Sequence, residues 1–243
     1  LAELTNWTPL NVHVASAYGD SLRLVHTVPN VGLAINSIAC PDLNPGPLAH
    51  VSAYLGQFPD LPVINHPDVV LTTARANNAR RLNQIDGVVF PRTEPLTTAG
   101  SPVQMVAEFE ALEMRYPVIL RRAGTQTGVS MTRAENADDV LTYFMAARVN
   151  ETHYAIEFID QRDDEGRYRK TRAFFVDGQL FPVANLAHDA WQIHSGDRYS
   201  VMEGDPTTQE RERHYLDDPG DYLGDTAMAA LQGINEAIGL DFF

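Results

Sequence analysis

The chain has 243 residues, 44% of them hydrophobic and 21% charged, with a formal net charge of −14. That length admits one large domain or two to three small ones with ample core, and the acidic balance argues against a nucleic-acid or anionic-membrane surface. The single cysteine, Cys40, excludes a disulfide framework and a cysteine-based metal site, and no apolar run approaches the length of a membrane span. Of the 18 basic residues, all but Lys170 are arginine. The sequence starts at Leu1 and closes on residues 240–243, an apolar run that reads as the start of a strand, so a fragment, or missing residues at both ends, is expected.

In chain order, residues 11–16, 21–26, 31–38 and 61–65 are short runs with β character, separated by loops and by a short helix at 50–56. They predict a small α/β domain with a mainly parallel sheet. Residues 72–82 read as a helix capped by Thr72 or Thr73 and carrying Arg75, Arg80 and Arg81. Residues 88–91 read as a strand. Ser101, Pro102 and Gln104 open a helix with a capping-box pattern, which the Tyr116-Pro117 pair ends. Residues 136–148 repeat apolar side chains at helical spacing (Val140, Leu141, Phe144, Met145), a stripe that suits a core. Residues 153–160 form a strand and residues 161–170 a charged loop. Strands 172–176 and 179–184 are joined by Asp177-Gly178, a strong hairpin signal. Residues 185–197 look irregular and residues 207–221 acidic and mobile. A last helix capped by Asp225 turns Met228, Leu231, Ile234 and Ile238 inward and stops at Gly239.

The richest stretch is 116–128. Apolar residues lead into Arg121 and Arg122, then into a loop of small and hydroxyl residues (Gly124, Thr125, Gln126, Thr127, Gly128), and strand character resumes at 129–131. Two readings are open. One is an ordinary hairpin with glycine turns. The other is a phosphate clamp, in which uncovered backbone N–H groups approach an anion beside fixed arginine charge. His188 and His194, six residues apart, could meet a carboxylate or a metal, or make routine hydrogen bonds. No His-Glu-x-x-His, Gly-x-Ser-x-Gly, Walker or Rossmann fingerprint is present.

The order of these features resembles the ATP-grasp ligases, above all the glutathione-synthetase and ribosomal-protein glutamate-ligase branch. It runs as a small α/β domain, a basic helix, a strand ending in Arg121, a small-residue loop, a strand ending in Glu157-Phe158-Ile159, and a hairpin beginning Lys170-Thr171-Arg172. The resemblance covers residues 63–243 and, more weakly, the first domain. It implies an α/β (α+β) ATP-grasp fold: a small N-terminal α/β domain (1–66), a connecting helical segment (67–115), a lid subdomain (116–155) and a core subdomain (156–243), the last two clasping ATP. It implies that Arg121, and either Arg75 or Arg80, replace the family's phosphate-binding lysines. Gly124 to Gly128 would be the lid loop, Glu157, Phe158 and Ile159 the adenine hinge, and Arg172 and His188 the catalytic groups near the acyl phosphate. Lys170 departs from the family's aspartate.

The implied activity joins a small-molecule carboxylate to an amine (or thiol), with ATP and Mg²⁺, in the cytoplasm. The metal ligands, a Glu-x-Asn motif, are expected beyond Phe243. Amino acids or peptides are the implied substrates, and the chain would be a homodimer or one part of a longer multidomain chain. A second reading is a degenerate, non-catalytic ATP-grasp module within a larger protein.

Overall fold

The computed structural model describes residues 31–125 and 128–243. The strands expected at 11–16 and 21–26, with Gln126 and Thr127, lie outside the described residues. The chain divides into two compact units, Leu1–Ala74 and Arg75–Phe243.

In the first unit, β1 (Ala34–Ile35) pairs in parallel with β2 (Val63–Ile64). The connection between them carries α1 (Pro45–Leu55), so the parallel expectation holds for these strands. The helix is longer than expected. Asn44 stands at its N-cap, and Pro45 and Pro47 occupy its first turn, where a missing N–H costs nothing. Leu48 is fully buried, and Asn36 ties the strand ends by donating to the Asn65 carbonyl at 3.0 Å. A short helix, α2 (Pro67–Leu71), follows, and its Asp68 accepts from the Ser52 hydroxyl of α1.

In the second unit, α3 (Arg75–Leu82) starts three residues later than expected. Thr72 and Thr73 do not cap it. Their hydroxyls donate backwards to Val69 and Val70 and finish α2. Residues 88–91 are not a strand; the strand is β3 (Thr93–Thr97). Its Pro95 is tolerated because β3 is an edge strand of a four-stranded antiparallel sheet. That sheet has the order β3-β6-β4-β5, with β4 (Val118–Arg122), β5 (Met131–Ala134) and β6 (Thr152–Glu157).

Two helices cover one face of this sheet, α4 (Pro102–Glu110) and α5 (Ala137–Ala146). The capping box of α4 forms in full: Ser101 N–H donates to Gln104 Oε1 at 2.7 Å, and Gln104 N–H to Ser101 Oγ at 3.4 Å. Met105, Phe109, Val140 and Phe144 from these helices close on Leu96, Val118, Leu120, Ala134 and Ala155 of the sheet. Met145, expected in this core, is exposed.

A two-stranded ribbon follows, β7 (Tyr168–Val176) with β8 (Gln179–His188). Asp177 and Gly178 both have positive φ (50° and 73°), as a two-residue hairpin turn requires. β8 takes in residues 185–188, which were expected to be irregular. A turn of helix, α6 (Asp197–Ser200), leads to α7 (Pro206–Asp217) and α8 (Pro219–Ile238), the latter broken at Gly224 and stopped at left-handed Gly239. The segment expected to be mobile is therefore the ordered helix α7. Its Tyr215 is fully buried and donates to the Arg172 carbonyl at 2.9 Å, and its Glu212 is paired with Arg198 at 2.6 Å. Residues 241–243 run antiparallel to β7, with Phe175 and Phe243 exchanging backbone hydrogen bonds. No helix among the described residues is long and apolar enough to cross a membrane.

Candidate active site

Side chains alternate along β4. Val118 and Leu120 enter the helix-covered core. Ile119 and Arg121 stand on the other face, opposite Ile156 and Tyr154 of β6. On that uncovered face Ala76 of α3 meets Ala123, Tyr154 and Ile156. Arg121 braces the loop it begins: its guanidinium donates to the Thr125 carbonyl and, at 3.3 Å, to the Thr125 hydroxyl. That hydroxyl donates to the Arg122 carbonyl at 2.8 Å. Arg122 points to the helix-covered face and pairs with Glu151 at 3.2 Å.

Beyond the loop tip, Gly128 (φ 77°) lies against the segment that follows β8. A Cβ placed there would be 2.9 Å from His194 Cε1 and 3.9 Å from Gln192 Nε2. Any other residue there would carry the strain of a positive φ and force the His194 ring to shift.

The ribbon presents its charges toward the same segment. Tyr168, Lys170 and Arg172 oppose His188, Leu186 and Ala184, so all six share one face. There Tyr168, Ala184, Leu186, Ile193 and Met202 form a buried cluster, with Phe158 and Trp191 packed on it. Lys170 Nζ donates to the Ile193 carbonyl at 2.8 Å. Burial and then the neighbouring Arg172 push the Lys170 ammonium below its ordinary pKa, against an opposing pull from Asp197. Among the described residues no carboxylate lies within ion-pair distance of Arg172. Two adjacent cations without a carboxylate of their own suit an anionic ligand.

The hinge residues leave β6 beside this cluster. Glu157 N–H donates to the Arg92 carbonyl at 2.9 Å, and Arg92 N–H returns a bond to Glu157 Oε2 at 3.3 Å. The Phe158 ring lies under the Arg133 guanidinium, 4.1 Å from its carbon, and edge-on to Trp191. Ile159 is half-buried.

The fold thus gathers Gly128, Phe158 and Lys170 around residues 191–194, with His188 bonded to Ala190 just before them and Arg172 exposed beside Lys170 on the same ribbon face. His188 is tied locally, its Nδ1 accepting from Ala190 N–H at 2.7 Å. Arg75 and Arg80 stay on α3, where exposed Arg80 donates to Asn77 at 2.7 Å. Gln192 has no role in the sequence reading, because only the fold brings the loop glycine near it. Lys170 is read there only as a departure from the family's aspartate, although its i, i+2 spacing with Arg172 on a strand puts both on one face. His194 is paired there with His188 as able to meet a carboxylate or a metal, and its approach to Gly128 is a product of the fold. Among the described residues no three His, Cys, Asp or Glu side chains converge on a point.

No family model matches the sequence, and no curated protein matches it. Solved structures do. D-alanine–D-alanine ligase from Bacillus anthracis superposes with a TM-score of 0.51 at 11% identity, covering 91% of this chain and 66% of its own. A RimK domain ATP-grasp protein from Sphaerobacter thermophilus gives 0.49 at 16% identity, covering 94% of this chain and 69% of its own. L-amino acid ligase from Bacillus licheniformis gives 0.47 at 13% identity, covering 92% and 46%. The chain spans less than two thirds of the first and third of these ligases. At such identities the likeness speaks for the backbone alone. It agrees with the order of the 118–134 hairpin, strand β6 and the β7–β8 ribbon already described: the chain has the ATP-grasp fold.

Proposed function

We propose that this chain is an ATP-dependent ligase that joins a small-molecule carboxylate to an amine through an acyl phosphate. The observation that carries the reading is the convergence of the loop glycine Gly128, Phe158 and Lys170 around residues 191–194, with Arg172 next to Lys170 on the same face of the ribbon. In this reading the γ-phosphoryl group passes to the substrate carboxylate and ADP leaves. The amine then attacks the acyl carbon and phosphate departs. Arg121 and the loop N–H groups hold the nucleotide phosphates. Lys170 and Arg172 neutralise charge where the acyl phosphate forms. Closing the 124–128 loop keeps water from that intermediate. Residues 157–159 receive the adenine, and His188 lies at the far end of the cationic face.

D-alanine–D-alanine ligase among the structural neighbours favours amino-acid-like substrates. A second reading, a nucleotide-binding module without turnover, is favoured by one observation: Lys170 puts a cation where the resembled family has an aspartate. Titration with Mg-ATP, followed by ADP release with a panel of amino acids and dipeptides, tests both. Saturable binding with amine-dependent ADP release supports the ligase. Binding without release supports the module. No binding across millimolar ATP overturns both.

A further inference from the structure

A cavity of about 500 Å³ opens on the other side of the loop hairpin, between β4, β5, β6 and α5. It belongs to the helix-covered face of the sheet, opposite to Arg121. Arg122 and Arg148 line it with the carboxylates Asp139 and Glu151, while Arg133, also at its wall, turns its guanidinium to Phe158 and Glu135. Arg122 is half-exposed and holds Glu151 at 3.2 Å. Arg148 is exposed, and among the described residues no carboxylate lies within ion-pair distance of it.

The floor of the cavity is His153, only 3% exposed. Its Nδ1 is engaged by the Tyr143 hydroxyl at 2.8 Å. Its Nε2 is buried and makes no hydrogen bond, and Glu151 Oε2 is 3.8 Å away, an approach too long for one. A buried imidazole nitrogen left without a partner is rare and costly. Here the Glu151 carboxylate is shared between Arg122 and His153 and satisfies only the arginine.

We propose that this cavity is a second anion site, taking the phosphate or carboxylate group of a small metabolite between Arg122 and Arg148. The anion replaces Glu151 on the Arg122 fork, and Glu151 closes the gap to His153 Nε2. Both partners then hold a bond, and the guanidinium keeps a bidentate oxyanion, the geometry to which it is best matched. The site bears on the loop from both ends. The Arg122 carbonyl accepts from Thr125 Oγ1 at 2.8 Å, and the Tyr143 hydroxyl, 2.8 Å from His153 Nδ1, stands 3.4 Å from the Ser130 carbonyl, its one proton serving one of the two. An occupant therefore loads the hairpin from outside the nucleotide-facing side.

This inference stands apart from the ligase reading, and its test needs no nucleotide. The full chain is titrated with inorganic phosphate and, separately, with citrate, by calorimetry and by amide shifts of Tyr143 and Arg148. Binding of either that weakens about tenfold or more in Arg148→Ala, as loss of a charge-assisted bond predicts, supports the site and names its source. Arg122→Ala should do the same, and an unchanged near-UV spectrum verifies its fold. Arg172→Ala, on the ribbon, should leave this binding in place. If neither anion binds at tens of millimolar, or if Arg172→Ala abolishes binding while Arg148→Ala does not, the proposal fails.

Discussion

Arg121 and Arg122 are adjacent in sequence and opposed in space. Strand alternation alone reads this from the sequence, and the register agrees: Arg121 faces Tyr154 and Arg122 faces His153 across the same pair of strands. Arg121→Ala is therefore expected to weaken ATP binding about tenfold or more, while Arg122→Ala changes it little. Equal losses in isothermal titration would reject the assignment of faces. His153 supports a second prediction, on stability. Burial holds its pKa below the ordinary value near 6.5, outweighing the raising effect of Glu151, with Arg122 lowering it further. A depressed folded-state pKa means that the unfolded chain takes up the proton first as pH falls. The stability tied to neutral His153 is complete above about pH 6.5 and is lost as pH drops toward the folded value, by at most about 1.4 kcal/mol per pH unit. Chemical denaturation between pH 7.5 and 5 should show this fall, and His153→Gln should flatten it. An unaltered slope in that variant counts against the assignment. None of this was legible in the sequence, where His153 is one residue of an apolar strand and its partners Tyr143 and Glu151 lie on other elements.

The elements most legible in the sequence are those that local chemistry completes. The capping box of α4 and the Asp177-Gly178 turn each rest on a few adjacent residues. Ser101→Ala is expected to cost about 1 kcal/mol in urea denaturation, the usual worth of an N-cap side chain. Misread elements fail in the opposite sense. Residues 88–91 have strand propensity but no strand beside them, and Thr93–Thr97 takes the edge because its backbone reaches β6. Helix α7 looks like an acidic, mobile stretch until Tyr215 and Glu212 find partners on the ribbon and on α6. Gly128 lies between these cases. Its small size is readable, but the reason for it is not, since His194 comes from 66 residues further on. Gly128→Ala meets both a positive φ and a 2.9 Å approach to His194. It should reduce ligand-dependent loop protection in hydrogen exchange. The double change with His194→Ala should restore part of it, because only the steric half of the penalty is relieved. If the second change restores nothing, the contact with His194 is not what constrains the loop.

For the whole molecule, the order of motifs carried the fold class, and no single motif did. The sequence could place a basic helix, a loop hairpin, a hinge strand and a cationic ribbon in series. It could not show that the loop glycine, Phe158 and Lys170 meet at residues 191–194, because that convergence arises from long-range packing. The same packing leads to a final prediction. Among the described residues, every residue of the three buried hydrophobic clusters lies between Ala76 and Met202, inside the unit Arg75–Phe243. The four-stranded sheet, its two covering helices, the ribbon and α7–α8 also belong to that unit. Its 169 residues (243 − 74) exceed the length at which a single core becomes self-sufficient. Expressed alone, residues 75–243 are expected to unfold in a cooperative thermal transition with a native near-UV spectrum. Phe109→Ala in that fragment, removing a ring that is 1% exposed at the centre of the main cluster, should lower its stability by about 3–5 kcal/mol. A fragment that binds ANS and melts without a transition would show that the core needs residues 1–74. A cooperative fragment indifferent to Phe109→Ala would show instead that the main cluster is not what holds it.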